Sequence, residues 1–327
     1  MKKNYKLLAT LVLSGLAGAA FGVLPAEAAV TVGPVDGTEK PLTNTEFTSL
    51  YGNTYTGSTS GNTVSISGEG TVTLNTLAGA YTLESGDASN NKLSVTDGAS
   101  VSFSNATDNW IAGGRSMKGA ASGNQVTLSG VSLNLPDATP SSLKIAGGET
   151  ESGNADGNTV TLDTITSSGI VYGGRAGNGN NVAEAVLMSV LAVSTEESTG
   201  TDTSTEADPI STSASSNSVT ITGSQVKGVY GGVGQIGSAK GNIVTITDSS
   251  VEMEAVGGET GYMVGWITQP GQLKDAENNQ VIVNGSSTIG TVVGGEAAAA
   301  NTFDEKMAKC RQAANLPATP SPSMTAL

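Results

Sequence analysis

Charged side chains that follow a Gly-Gly pair are the first candidates for chemistry: Arg115, Glu149, Arg175, Glu259 and Glu296. Polysaccharide-cleaving sites need two or three neighbouring carboxylates, or a carboxylate-bound calcium with a basic residue. If these positions stack on successive turns of the chain, the first three form an alternating ladder of exposed charges, worth less than about 1 kcal/mol for each pair. Glu259 and Glu296 would place like charges side by side. They could hold a cation or sugar hydroxyls, and we favour the alternatives, which are repulsion in solvent or separation of the two carboxylates by the long loop.

A second set of carboxylates, Asp97, Asp163 and Asp248, comes directly after short alternating segments, where other copies of the same pattern have Gly. Asp at such a position forms turns through its own backbone. We therefore interpret these residues as turn formers and not as a catalytic cluster.

The sequence contains no histidine and one cysteine, Cys310. Without histidine there is no Ser-His or Cys-His nucleophile pair and no usual zinc ligand. A single cysteine also permits no disulfide within the chain. We predict no catalytic residues, no metal site and no cofactor, and hence a protein that is not an enzyme.

Two aromatic residues, Tyr262 and Trp266, lie in a predicted long loop at 259–278 and are the candidate ligand-binding residues. Exposed aromatic rings stack on sugars and anchor protein interfaces. The alternative is that they only pack the loop onto the rest of the protein. The formal net charge of −14 argues against nucleic acid as a partner, because phosphate binding needs clustered Lys and Arg.

These residues belong to a repeat. Its first motif is Asn, any residue, an aliphatic residue, a small or polar residue and a second aliphatic residue. The motif occurs in seven copies, at 62–66, 91–95, 124–128, 158–162, 217–221, 242–246 and 279–283. An aliphatic residue and one variable residue before Gly-Gly follow each of the last six copies. The smallest repeat, from Asn217 to Asn242, is 25 residues.

The alternation inside each copy is that of a β-strand, and a strand this short can bury one face only by stacking on its equivalents. We therefore predict an all-β fold, a parallel β-solenoid of about seven coils over residues 57–301. Aliphatic columns would fill its interior, the Asn column would form a side-chain amide ladder, and Gly would supply positive φ at Gly-Gly and after the first strand.

Segments outside the repeat have their own composition. Residues 1–28 have the basic start, apolar centre and small-residue exit of a cleaved signal peptide. Residues 29–56 lead into the repeat. Residues 182–215 form an insertion, first apolar and helix-permissive, then acidic and rich in Ser and Thr. We expect this insertion and the 259–278 loop to protrude from turns.

The signal peptide, the Gly/Ser/Thr/Asn-rich coils and signatures such as Val-Tyr-Gly-Gly-Arg at 171–175 resemble the passenger of a Gram-negative autotransporter or a related haemagglutinin-like surface protein. The resemblance implies export, a right-handed β-helix, an outer-membrane translocator barrel and, often, adhesion to host or neighbouring-cell glycans or matrix proteins. No barrel segment follows the repeat in this sequence, which departs from the family pattern.

The last residues, 302–327, lose every repeat signal. We hypothesise that they are a frameshifted reading of an eighth coil. The expected location is then extracellular or at the cell surface for the intact protein, and periplasmic for the chain as given. Two alternative functions remain open at this point, a β-helical carbohydrate-active enzyme and a truncated product without a function of its own.

Overall fold

The computed structural model describes residues 29–35, 38–42, 49–55, 57–104, 109–135, 143–167, 169–177, 212–235, 237–260, 275–297 and 310–312. These residues form β-strands and turns, and none of them is in a helix. The predicted signal peptide lies outside the described residues, as do Tyr262 and Trp266. So do most of the 182–215 insertion and all of the 302–327 tail except 310–312.

The strands are short and are numbered in chain order. The N-terminal ones are β1 Ala29–Val35, β2 Thr38–Leu42, β3 Ser49–Tyr51 and β4 Thr54–Tyr55. The next are β5 Thr59–Ser60, β6 Thr63–Ser67, β7 Gly70–Leu74, β8 Thr76–Thr82, β9 Ala88–Ser89, β10 Lys92–Val95, β11 Ala99–Phe103, β12 Asn109–Ser116, β13 Ala121–Ser122, β14 Gln125–Ser129, β15 Ser132–Asn134, β16 Leu143–Thr150, β17 Thr159–Asp163 and β18 Ile170–Ala176. The last are β19 Ser218–Thr222, β20 Gln225–Val226, β21 Gly228–Gly234, β22 Ala239–Lys240, β23 Ile243–Thr247, β24 Ser250–Thr260, β25 Ala276–Glu277, β26 Gln280–Asn284, β27 Thr288–Ala297 and β28 Cys310–Gln312.

Equivalent strands of successive coils pair in parallel, so the predicted parallel β-solenoid is confirmed. The Asn sheet, named for its ladder, has the parallel order β6-β10-β14-β17-β19-β23-β26. The Gly-Gly sheet has the parallel order β3-β8-β12-β16-β18-β21-β24-β27. A smaller third sheet contains β7, β11 and β15. Seven strands in the Asn sheet give the seven coils expected from the repeat.

The interior is filled by aliphatic columns. On the Asn sheet, the third and fifth positions of the motif point inward, as Val160 and Leu162 do in the fourth coil. Val101 from the third sheet and Ile145 from the Gly-Gly sheet close the same core. Burying each such side chain contributes about 1.5–3 kcal/mol, so the stacked columns are a main source of the stability of the solenoid.

The predicted amide ladder is present. The Nδ2 of Asn62, Asn91, Asn124, Asn158, Asn217 and Asn242 donates to the Oδ1 of the next ladder residue at 2.8–3.1 Å, ending at Asn279. The backbone N–H of each of these residues donates to the same Oδ1 at 2.9–3.0 Å. Each Oδ1 therefore satisfies two donors of the coil before it, in the interior of the rod.

Two turn columns flank each Asn-sheet strand. The residue before the ladder Asn has φ between 54° and 70° in all seven coils, at Gly61, Asn90, Gly123, Gly157, Ser216, Gly241 and Asn278. The residue after the strand also has positive φ, at Gly68, Asp97, Gly130, Thr164, Gly223, Asp248 and Gly285. This confirms Asp97 and Asp248 as turn formers. Asp163 was placed wrongly, because it ends β17 and Thr164 makes the turn.

The Gly-Gly pairs do not turn the chain, so that part of the prediction was wrong. They lie inside strands, and the positive-φ residues do not include them. The reason for glycine is close approach: a Cβ on Gly173 would lie 2.2 Å from the Gly231 carbonyl oxygen and 2.9 Å from the Asn217 Cβ. The first position of the pair is glycine in every coil from Gly79 to Gly257, because the neighbouring coil leaves no room there for a side chain.

The ends of the solenoid depart from the repeat. At the N-terminal end, β1 pairs antiparallel with β6 and β2 pairs antiparallel with β1. This cap falls in the predicted lead-in and was not foreseen. At the other end, β28 pairs antiparallel with β27 over Gly295–Ala297.

Candidate binding site

The column after Gly-Gly stands in register on the outer face of the Gly-Gly sheet, as predicted. Parallel pairing places Tyr81, Arg115, Glu149, Arg175, Val233, Glu259 and Glu296 beside one another in that order. The column is straight because each Gly-Gly pair lies over the next. Charged residues that lie 26 or more positions apart in the sequence, such as Glu149 and Arg175, thus become neighbours.

The first three charges form an ion cluster around Glu149. Arg175 Nη1 lies 2.8 Å from Glu149 Oε1, and Arg115 Nε lies 3.4 Å from Glu149 Oε2. Arg115 also reaches Glu151, with 3.5 Å between Nη2 and Oε1. The Glu149 side chain is only 2% exposed, so the expectation of an exposed ladder was wrong. The two arginines and the adjacent coils cover its carboxylate.

Burial by itself would raise the pKa of Glu149, but the positive charges of Arg115, Arg175 and Lys144 outweigh it and hold the pKa below its ordinary value. Glu149 is therefore ionised at neutral pH. A carboxylate that is held ionised between two guanidinium groups is a poor general acid, because it cannot supply a proton.

An aromatic cluster lies beside this ion cluster, at the N-terminal end of the same face. Tyr51 stacks on Trp110 with 5.7 Å between ring centroids, and Tyr81 meets Trp110 edge-on at 5.8 Å. The guanidinium of Arg115 lies 4.6 Å from the Trp110 ring centroid and 5.5 Å from that of Tyr81. Trp110 keeps 5% of its surface exposed, while the two tyrosines and Arg115 are partly exposed.

A second aromatic pair lies further along the face. The Tyr172 and Tyr230 rings stack at 5.3 Å, and Arg175 lies 5.2 Å from the Tyr172 centroid. Tyr230 donates to Glu254 Oε1 at 2.6 Å. Burial and the Glu254 carboxylate raise the pKa of Tyr230 above its ordinary value, so its hydroxyl stays protonated.

This face combines partly exposed tyrosine rings with arginine N–H groups, and we call it the aromatic–arginine face (Tyr51, Tyr81, Trp110, Arg115, Glu149, Tyr172, Arg175 and Tyr230). Such groups contact sugar rings and donate to hydroxyls or carboxylates. Most of its rings and charges contact one another, its central carboxylate is held ionised, and the Tyr230 hydroxyl is engaged by Glu254.

The other predicted carboxylates do not assemble into a site. Glu259 and Glu296 are in register on the sixth and seventh coils. Glu296 is buried, which differs from the expected solvated repulsion. Among the described residues, no three His, Cys, Asp or Glu side chains are placed to hold a metal ion.

Tyr51 and Trp110 were not among the site residues predicted from the sequence. Trp110 directly precedes the inward-pointing aliphatic residue of its Gly-Gly element, so the alternation of side chains along the strand predicts that the Trp110 ring points outward. Tyr51 lies in the lead-in, where no repeat motif marks it, but Gly52 beside it continues the column of close glycine contacts through Gly79. That glycine was the signal for an additional partial coil. The predicted ligand residues Tyr262 and Trp266 lie outside the described residues, between Thr260 and Asp275.

No helix in the described part of the chain has the length and apolar character needed to cross a membrane. Comparison with protein-family models, with curated proteins and with solved structures finds no match to this chain.

Proposed function

We propose that this protein is a non-enzymatic adhesive passenger of the autotransporter type, exported to the cell surface. Its rigid solenoid displays variable segments to glycans or matrix proteins of a host or neighbouring cell. The proposal includes the signal peptide at 1–28, a ligand-binding role for Tyr262 and Trp266, and a translocator barrel supplied outside the sequence given.

The observation that carries this proposal is where the long segments leave the solenoid. Residues 178–211 follow β18 and residues 261–274 follow β24, so both begin at the end of a Gly-Gly strand. Thr150, Ala176, Gly234 and Thr260 form one column there. The two departure points are two coils apart, or about 10 Å at 4.8 Å a coil. Long segments that begin at neighbouring points of a repeat scaffold suit recognition by loops.

The chemistry of the aromatic–arginine face supports binding over catalysis. Its central carboxylate is paired with two arginines, and its tyrosines contact neighbouring rings or carboxylates. We therefore prefer an adhesin to a β-helical polysaccharide lyase or hydrolase.

The test is binding of the purified chain to arrays of glycans and matrix proteins. We expect saturable binding that is weakened by W266A, by Y262A, or by replacement of 178–211 with one Gly. L83A, which alters an exposed apolar residue elsewhere, is the matched control. Binding unchanged in all three variants would remove the displayed segments from the proposal. Release of reducing or unsaturated ends from a polysaccharide would contradict the non-enzymatic assignment.

A further inference from the structure

Positive charge in the described coils is concentrated on one side of the solenoid. Most of the described Lys and Arg residues between 57 and 297 belong to Gly-Gly strands of coils two to five or lie within two residues of one: Arg115, Lys118, Lys144, Arg175 and Lys227. The others are Lys92 on the Asn sheet and Lys240, which has two carboxylate partners. A chain with a formal net charge of −14 therefore has one side that attracts anions.

The column after Gly-Gly places this charge along the axis. Arg115 and Arg175 lie on either side of Glu149, whose carboxylate is almost fully buried between them. The next residue of the column, on coil five, is Val233, and the next carboxylate of the column is Glu259 on coil six. The guanidinium groups of coils two and four are thus the outermost charges of this part of the column.

Arg175 keeps hydrogen-bonding capacity for a ligand. Its Nη1 donates to Glu149 Oε1 at 2.8 Å, and within the described part of the chain this is its only hydrogen bond. A guanidinium has five N–H donors in a planar fork that matches a carboxylate. On the other side of Arg175, the column offers Val233, which has no side-chain acceptor. The fork of Arg175 can therefore take a second carboxylate.

Aromatic rings lie on both sides of the two arginines. Tyr81 and Trp110 come from coils one and two, and the stacked rings of Tyr172 and Tyr230 come from coils four and five. Four steps separate coil one from coil five, or about 19 Å at 4.8 Å a coil. A ligand that lies along the axis would meet rings, then guanidinium groups, then rings.

We propose that the aromatic–arginine face binds a linear acidic polysaccharide along the solenoid axis, with a carboxylated sugar flanked by neutral sugars. This inference rests on the proposed function, and it names the class of glycan and assigns it to this face. An extended chain of pyranose rings advances by about one coil for each sugar, so successive sugars stay over successive coils. The neutral sugars cover the aromatic rings, and the carboxylate accepts from Arg175.

The chain's own insertion at 178–211 is the competing occupant, because it is acidic and begins three residues after Arg175. A Cβ on Gly177 would lie 3.1 Å from Thr212 Oγ1, so the two ends of the insertion meet at one border of the face. The chain therefore does not have to cross the face. The insertion also has no aromatic residue that could stack on Tyr172 and Tyr230.

The test uses the purified full chain and a fluorescent hyaluronan oligosaccharide, in which glucuronate alternates with N-acetylglucosamine. We expect saturable binding by anisotropy that weakens as the salt concentration rises. The methyl ester of the same oligosaccharide has no carboxylate charge, and a chitin oligosaccharide contains only neutral sugars. Both should bind at least about tenfold more weakly.

Variants of the protein locate the site. R175K keeps the positive charge beside Glu149 but loses the planar fork, and it should weaken binding at least about fivefold. Y172A removes a ring and should have a similar effect, while Y172F keeps the ring and should bind within about twofold of the unmodified protein. T161A, on the outward side of the Asn sheet in the same coil, is the matched control and should leave binding unchanged. Far-UV circular dichroism verifies that each variant is folded.

Absence of hyaluronan binding, or equal binding of the methyl ester, would overturn the inference. Loss with R175K but not with Y172A would overturn it in favour of charge attraction alone. Binding seen only after replacement of 178–211 with one Gly would overturn it in favour of the insertion as occupant. These results leave the proposed function standing, which fails instead if the variants of the displayed segments bind the arrays unchanged.

Discussion

At the residue scale, the molecule depends on side chains that repeat along the axis and satisfy one another. Asn158 is representative: its Oδ1 accepts from the N–H and Nδ2 of Asn124, and its Nδ2 donates to Ala121 O at 2.8 Å. Such a buried amide is costly to lose, because the groups left behind cannot reach water.

We predict that N158A lowers the free energy of unfolding by about 1–3 kcal/mol for each donor left without an acceptor. Chemical denaturation followed by circular dichroism measures this. T161A on the outward side of the same strand is the control and should change the free energy by less than about 0.5 kcal/mol. Equal effects of the two changes would contradict the structural role of the ladder.

A second residue-scale prediction concerns pH. Because the folded-state pKa of Glu149 is lowered, the unfolded chain binds a proton more readily than the folded one. The stabilisation is therefore complete above the ordinary glutamate pKa of 4.5 and is lost as the pH falls through the folded-state value. We expect E149Q to be less stable at pH 7, by less than the about 3–5 kcal/mol typical of a broken buried pair, since both arginines can turn to solvent.

E149Q should also lose less stability than the unmodified protein when the pH falls from 7 to 3. The measurement is the unfolding midpoint against pH, and E84Q on an exposed glutamate is the control. Parallel pH curves for E149Q and the unmodified protein would show that the ion cluster does not contribute.

At the element scale, the repeat sets the length of each strand and the residues of its turns. Glycine is required in the Gly-Gly pairs because neighbouring coils come into close contact there. We predict that G173A destabilises by about 1–3 kcal/mol, because its Cβ would meet the Gly231 carbonyl. G228A lies in a strand of the same sheet, and its Cβ would have no neighbour closer than 3.7 Å. Thermal unfolding should show G228A to be neutral or slightly stabilising, and a loss equal to that of G173A would contradict the packing argument.

The insertion is a second element-scale test. A Cβ on Gly177 would lie 3.1 Å from Thr212 Oγ1, so the two ends of 178–211 are adjacent. In the next coil the equivalent positions, Gln235 and Gly237, are separated by one residue. Replacing 178–211 with one Gly should therefore change the unfolding free energy by no more than about 1 kcal/mol, since the free energy of closing a connection depends only weakly on its length. Loss of the β-sheet circular dichroism signal would contradict this.

At the scale of the whole molecule, each coil pairs only with the coils before and after it, since strand order in each main sheet follows chain order. Stability in such a molecule is close to a sum over repeats and their interfaces. We expect a chain ending at residue 235, with five coils, to keep its β-sheet circular dichroism spectrum and to unfold at a lower midpoint. A chain that is unfolded at room temperature would contradict this additive behaviour.

The sequence by itself determined the cross-section of the solenoid. Asn, aliphatic and Gly positions recur at fixed places, and like residues stack on like in a parallel fold, so the coils, the core columns and the amide ladder could be predicted. Gly-Gly was misread because the sequence pattern does not separate a turn glycine from a close-contact one, and Asp163 was misread because the pattern does not fix the residue at which a strand ends.

Only the tertiary structure decided what the outward side chains contact. Tyr51 reaches Trp110 across two coils, and Glu149 is buried between arginines from the coils on either side. The periodicity predicts that a side chain points outward, but it does not predict which long side chains of the neighbouring coils contact that side chain. The antiparallel cap of β1 was likewise beyond a repeat-based prediction, because the repeat carries no information about what borders its first copy.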